Sequence, residues 1–128
     1  MAVVGVGIAV VATFVASSLY YMVLSPVEAK RLGDRAPDRS RPKPWQVVSE
    51  LVRTVVVVTG FAWVGSHADL RDLPGGLGLA VVLWLSFPVV ILLGSVTWER
   101  VSPVTAALHA GDWLLKLLLV ATVLGLVH

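Results

Sequence analysis

Three ionisable side chains lie close together in the last apolar stretch of this sequence, residues 103–127. At about 100° per residue, a helix would bring His109, Asp112 and Lys116 within about 60° of one another, with Trp113 beside them. An imidazole, a carboxylate and an ammonium group on one face could carry protons, bind a small ion or form ion pairs. Because charged groups are costly in an apolar setting, we expect the other elements to cover this face.

A second ionisable pair, Glu50 and Arg53, lies in another apolar stretch. Trp45 and Trp63 are expected at opposite membrane interfaces, because the helix between them would measure about 27 Å against about 30 Å of hydrocarbon. Arg53 then lies about 12 Å inside this stretch, and Asp112 lies about 13 Å inside the last one. These comparable depths predict an Arg53–Asp112 ion pair between two helices.

Asp112 and Lys116 also form an i, i+4 pair with the acid first, which is the favourable order on a helix. One carboxylate would then serve two cations, with Glu50 as a second counter-charge. Several interpretations remain open: a polar path or binding site, a network that locks two helices together, or a Lys116 side chain that only reaches towards the interface. Alternatively, the embedded part begins near Gly111, which would leave His109 at the membrane interface and Asp112 at its rim.

The composition indicates that lipid surrounds most of the chain. The 128 residues are 57% hydrophobic and 14% charged, and the mean hydropathy is +0.87. A soluble domain of this size could not bury that much apolar surface. There is no cysteine, which excludes disulfides, thiolate metal ligands and cysteine nucleophiles. The net charge of +2 is too small to suggest nucleic acid as a partner.

The apolar stretches predict an all-α fold, a four-helix transmembrane bundle that forms a single integral membrane domain. No basic segment precedes the first stretch, so we expect a retained span rather than a cleaved signal peptide. An S-x-x-E box from Ser25 to Glu28 predicts a short interfacial helix over residues 27–32. Pro88 predicts a kink in the third span, and Ser102 followed by proline predicts the start of the fourth. The spans are predicted over residues 2–24, 45–66, 77–98 and 103–127.

The first loop, residues 25–44, indicates the orientation of the chain. By the positive-inside rule this loop is cytoplasmic, which leaves both termini outside a plasma or inner membrane. Four helices are few with which to enclose a pathway, so we expect a homo-oligomer, most simply a dimer. The basic residues of the loop are Lys30, Arg31, Arg35, Arg39, Arg41 and Lys43, against Glu28, Asp34 and Asp38.

The sequence contains no pattern of an enzyme active site. His67, in an exposed loop, and His128 are expected to be solvated, and the three histidines are too scattered to form a metal site. No phosphate-binding loop or nucleophile elbow is present. We therefore expect no enzymatic activity, no catalytic residue, no metal ion and no cofactor.

Several short motifs in the chain are similar to those of a known family. The third span contains F-P and L-L-G-S, and H-A-G-D-W-x-x-K runs from His109 to Lys116. Residues 19–33 contain an aromatic pair followed by S-P, and E-L-V-R begins at Glu50. These motifs resemble the family catalogued as domain of unknown function 1761. The resemblance implies a four-helix membrane protein and carries no activity with it.

Two functions of different classes fit these observations. The first is a small transporter or channel component that moves protons, ions or a small anionic solute past the ionisable cluster. The second is a structural or accessory membrane subunit in which the same cluster holds helices or protomers together. The candidate cluster consists of Glu50, Arg53, His109, Asp112, Trp113 and Lys116.

Overall fold

The computed structural model describes residues 2–37 and 42–127, and all regular elements in these ranges are helical. Four helical segments are long and apolar enough to cross a membrane, which confirms the predicted fold class. Arg39 and Arg41 of the basic loop, and His128, lie outside the described residues. The helices are α1 (Ala2–Leu32), α2 (Pro44–His67), α3 (Leu73–Ser86), α4 (Pro88–Trp98) and α5 (Pro103–Leu126), and a 3-10 turn, Gly33–Arg35, follows α1.

The residues predicted to form a separate interfacial helix are helical, but they continue α1 without a break. Pro26 lies inside this helix, where its missing N–H removes one backbone hydrogen bond, a loss that helices in lipid tolerate. Glu28 does not act as the capping residue that was expected. Its side chain is only 2% exposed, and its Oε2 accepts a hydrogen bond from Thr105 Oγ1 at 2.9 Å. A buried contact with α5 therefore replaces the predicted capping box.

The third apolar segment consists of two helices that meet at a break. At Phe87 the backbone has φ −122° and ψ −73°, and Pro88 is the first residue of α4. The predicted disruption at Pro88 is thus a full interruption of the helix. α3 begins before the predicted position 77, because the Asp72 carboxylate accepts a hydrogen bond from the Gly75 N–H at 3.3 Å. The Pro-Gly-Gly stretch before the predicted span therefore lies in the first turn of α3.

α5 is the central helix of the bundle. It packs extensively against α1 and α3, less against α4, and over a short stretch against α2. Helix α2 in turn packs only slightly against α3 and α4. Its start agrees with the prediction, since Ser102 Oγ accepts a hydrogen bond from the Val104 N–H at 3.2 Å. The apolar core collects side chains from α1, α2, α3 and α5, namely Ala9, Val58, Phe61, Ala80, Leu117, Val120 and Ala121.

α1 and α5 run antiparallel, and their contacts follow a regular register. Near one end Gly5 lies against Leu124 and Val127, and near the middle Ser17 bonds to Asp112. The buried positions of α1 recur every four residues, so small and hydroxylated side chains line one stripe: Gly5, Ala9, Thr13 and Ser17. This stripe lets α1 approach α5 closely, the usual effect of small residues between helices in lipid.

Candidate functional site

The six residues of the predicted cluster line a single cavity of ≈ 610 Å³ between α1, α2 and α5. α2 contributes Glu50 and Arg53, and α5 contributes the other four. α1 adds hydroxyl groups to the wall, among them Ser17 and Tyr21, which the sequence analysis did not include. The volume is within the range of roughly 300–1,000 Å³ that is common for small-molecule sites.

Lys116 forms the centre of the charged network. Its Nζ lies 3.0 Å from Asp112 Oδ2 on its own helix and 3.0 Å from Glu50 Oε1 on α2. The same ammonium group lies 5.0 Å from the ring centroid of Trp113, within range of a cation–π contact. The Lys116 side chain is 6% exposed, so it does not extend to an interface, and its single ammonium group pairs with two carboxylates.

Asp112 is the most deeply buried member of the network. Its side chain is 3% exposed, and Ser17 Oγ donates a hydrogen bond of 2.6 Å to Oδ1. Because Lys116 binds the other oxygen, both carboxylate oxygens have partners, as a buried charge requires. The bonds from Ser17 through Asp112 and Lys116 to Glu50 link α1, α5 and α2. The expectation that other helices would cover the polar face of α5 agrees with this burial.

The predicted Arg53–Asp112 ion pair is wrong. Arg53 Nη1 instead bonds to Glu50 Oε2 on its own helix at 2.8 Å, and its side chain is 58% exposed. Equal depth along two helices says nothing about the direction of each side chain around its helix axis. Asp112 points towards α1 and Lys116, while Arg53 stays at the open side of the cavity. The predicted Asp112–Lys116 pair, by contrast, is present.

Two tyrosines near the middle of the long helix α1 contact α5. Tyr20 Oη donates to the backbone carbonyl of Leu108 at 2.7 Å, and Tyr21 Oη lies 2.6 Å from His109 Nδ1. The Tyr21 and His109 rings are also in contact, with centroids 5.8 Å apart. His109 therefore belongs to the α1–α5 contact as well as to the cavity wall.

Thr13 carries a buried hydroxyl group, 1% exposed, without a hydrogen-bond partner among the described residues. The other five threonines of the described chain all donate a hydrogen bond, four of them to a backbone carbonyl one turn earlier in the helix.

The spacing of Thr13 and Ser17, one helical turn apart on the stripe that contains Gly5 and Ala9, is the sequence signal that identifies the polar face of α1. That signal is weaker than a charge because hydroxyl groups are common in apolar helices.

The side chains in the cavity wall are of the kinds that bind ions or polar solutes and that hold and exchange protons in proteins. The cavity offers two carboxylates, one ammonium, one guanidinium and one imidazole within a single wall. Within residues 2–37 and 42–127, no group of three His, Asp or Glu side chains is arranged to hold a metal ion. Apolar core residues lie beyond the network, since Leu117 and Val120 follow Lys116 on α5 and Val58 lies two turns beyond Glu50.

These features define a small all-α protein whose four apolar segments suit a lipid bilayer and whose interior contains a buried ion network. The chain belongs to the family described as protein of unknown function (DUF1761), which matches residues 4–125. This agrees with the resemblance seen in the motifs. No curated protein and no solved structure matches the chain.

Proposed function

We propose that the protein is a small membrane transport component, without enzymatic activity, in which the polar cavity admits an ion or a small solute. The observation that carries the proposal is the convergence of all six cluster residues on one cavity of ≈ 610 Å³. Ionisable groups inside an apolar bundle are costly, and those that face a water-filled cavity commonly mark a pathway for ions or solutes.

The exposure of the network supports a role beyond helix packing. A lock between α1 and α5 needs only the bond from Ser17 to Asp112 and the ion pair of Asp112 with Lys116. Glu50 and Arg53 extend the network towards the cavity, where their side chains are 33% and 58% exposed. A proton or ion entering the cavity meets these groups before it reaches the buried carboxylate.

Transport requires that a passage open through the apolar core beyond the network at some stage. The apolar residues beyond the network, among them Val58 and Leu117, would have to separate. The elements suited to this movement are α2, which packs only slightly against α3 and α4, and the helix break at Phe87. We propose that α2 moves relative to α5 and that the Glu50–Lys116 bond opens and closes with it, because this bond is the polar link between the two helices.

The proposal is tested by reconstituting the pure protein into lipid vesicles and following internal pH with a trapped dye after a pH step. We expect proton flux that Asp112→Asn abolishes, because the amide keeps the shape of the carboxylate and cannot carry the proton. Glu99→Gln is the matched control, since Glu99 is exposed in the turn before α5 and lies outside the cavity. Flux that is unchanged in Asp112→Asn would overturn the proposed role of the cluster.

The second candidate function is that of a structural or accessory subunit. It is favoured by one observation, the series of bonds between Ser17 and Asp112, between Asp112 and Lys116, and between Lys116 and Glu50, which ties three helices together. In this case Asp112→Asn lowers the thermal stability of the protein in detergent, the vesicles show no flux, and a partner copurifies with the wild-type chain.

For the orientation, we propose a cytoplasmic first loop and both termini outside a plasma or inner membrane, with a homo-oligomer as the working unit. The support is the basic character of residues 25–44, in which Lys30 and Arg31 lie in the last turn of α1 and Lys43 precedes α2. Because the chain has no cysteine, a Ser40→Cys variant provides a single labelling site, although position 40 itself lies outside the described residues. Labelling of intact cells by an impermeant maleimide would contradict this orientation.

A further inference from the structure

An apolar groove of ≈ 540 Å³ lies between α2 and the helices α3 and α4. It follows from the slight packing of α2 against those helices, and the interrupted backbone at Phe87 and Pro88 forms part of its wall. Gly60, on the opposite wall, has open space where a side chain would begin. The groove is large enough to hold a ligand chain rather than a single water molecule.

The groove adjoins the polar cavity. Arg53 and Trp113 line both spaces, so a charged and an aromatic side chain stand at the junction between an apolar and a polar compartment. From Arg53 to Val64, both in the groove wall, α2 rises by about 16 Å. A single molecule with a polar head and an apolar chain could therefore occupy both spaces at once.

The exposed charged groups at the junction bear on the chemistry of the head group, and they include Glu50, a carboxylate that is 33% exposed and bonds to Arg53 and Lys116. Asp112 and Lys116 neutralise one another below the cavity surface, with side chains only 3% and 6% exposed. Arg53 is the most exposed charged group of the network, at 58%. Only its Nη1 has a partner among the described residues, and a guanidinium group has five N–H donors in all. These remaining donors suit the oxygens of a carboxylate or phosphate.

We propose that the protein binds a single-chain anionic amphiphile, with its acidic head group at Arg53 and its alkyl chain in the groove beside Gly60. The proposal rests on the proposed transport function and names the substrate class of that site. Trp113 covers the point where the head group joins the chain, since it lines both compartments. A carboxylate head and a phosphate head share this chemistry, and competition distinguishes between them.

The test uses the full chain in nanodiscs of zwitterionic lipid and a dansyl-labelled fatty acid as the probe. We expect saturable binding that dodecanoate or dodecyl phosphate displaces and that dodecanol and dodecyltrimethylammonium leave in place. The more effective of the two anions identifies the head group. Equal displacement by the cationic amphiphile would overturn the proposal, as would a signal that does not saturate, because that signal reports partition into the bilayer.

Two variants locate the site. Arg53→Gln is expected to weaken binding of the probe about tenfold or more, the usual effect of losing a charge-assisted hydrogen bond. Gly60→Leu fills the groove without meeting any atom of the chain within 4 Å at its Cβ, and it is expected to weaken binding by a similar factor. Gly78→Leu is the matched control, since Gly78 is equally open but lies outside the groove, and its binding should equal that of the wild type.

The outcomes separate this inference from the transport proposal. Wild-type affinity for the probe in Gly60→Leu would overturn the inference. A change of that variant from dimer to monomer without a change in probe binding would also overturn it, because the groove would then be an interface between copies of the chain. If the probe does not bind but Asp112-dependent flux remains, only the inference fails. If the probe binds with the expected variant pattern and flux does not depend on Asp112, only the transport mechanism fails.

Discussion

Replacement of Lys116 by Met tests whether the buried ion network stabilises the bundle. Met keeps an unbranched side chain of similar length, so the packing beside Trp113 is largely preserved while the charge is removed. Lys116 Nζ lies 3.0 Å from both Asp112 and Glu50, and no other cation within the described residues forms an ion pair with Asp112. The substitution therefore leaves a buried carboxylate without its counter-charge.

The expected cost follows from the burial of each partner. Asp112 is 3% exposed, and removing one member of a buried ion pair costs about 3–5 kcal/mol of unfolding free energy. Glu50 is 33% exposed and keeps its bond to Arg53, so its contribution is screened and adds about 1 kcal/mol at most. Asp112→Asn alone leaves Lys116 bound to Glu50 and should cost less, about 1–3 kcal/mol.

The double variant Asp112→Asn/Lys116→Met provides the decisive comparison. With both charges removed, its destabilisation should be smaller than the sum of the two single values, with a coupling energy of about 1–3 kcal/mol. The assay is unfolding in mixed micelles by titration with sodium dodecyl sulfate, followed by far-ultraviolet circular dichroism. Lys30→Met, at an exposed position of α1, is the control and should change stability by about 0.5 kcal/mol or less. Single effects that add within about 0.5 kcal/mol, or a Lys116 effect no larger than that of Lys30, would refute the reasoning.

Three further predictions use the same unfolding assay. Ser17→Ala removes a hydrogen bond to a buried carboxylate and should cost about 1.5–3 kcal/mol of unfolding free energy. The control is Ser18→Ala, which should cost about 0.5 kcal/mol or less because the Ser18 hydroxyl bonds within its own helix. Equal effects of the two substitutions would contradict the assigned network. Thr13→Val replaces a buried hydroxyl that has no described partner and should raise stability by about 1 kcal/mol, and a clear loss would show that the hydroxyl is engaged. Gly125→Ala should lower stability by about 1–3 kcal/mol because the added Cβ would lie 3.0 Å from the backbone of α3. Gly60→Ala places its Cβ in open space and should raise stability by about 0.5–1 kcal/mol. Effects of the same sign would contradict the α3–α5 packing.

The helical segments and the cluster residues could be found in the sequence because both depend on local properties. An apolar run of membrane length predicts a helix wherever it occurs, and a charge in such a run must be covered by another element. The five ionisable residues of the cluster meet this condition, Trp113 lies beside three of them on α5, and all six line one cavity. The break at Pro88 was also predictable, since proline disrupts a helix through its own ring and its missing N–H.

The pairing within the cluster could not be predicted in the same way. Depth along a helix places Arg53 and Asp112 at one level but leaves their directions around the axis undetermined, and the structure pairs each with a different residue. The contribution of α1 was missed because Ser17 and Tyr20 are uncharged, and their partners lie far along the chain. Glu28 fits a capping box by sequence, yet its bond to Thr105 of α5 determines its position.

The α1–α5 contacts also determine when the protein can complete its assembly during synthesis. Ser17 and Asp112 are 95 positions apart, and Tyr20 and Leu108 are 88 apart, so α1 enters the membrane long before its hydrogen-bonding partners exist. At a translation rate of about 5–20 residues per second, this interval is about 5–20 s. During that time the hydroxyl groups of α1 must be satisfied by backbone carbonyls of their own helix, water, lipid head groups or an insertion factor. Chains that stop before α5 should therefore remain unassembled and be degraded, which makes the last helix the checkpoint for the biogenesis of the whole protein.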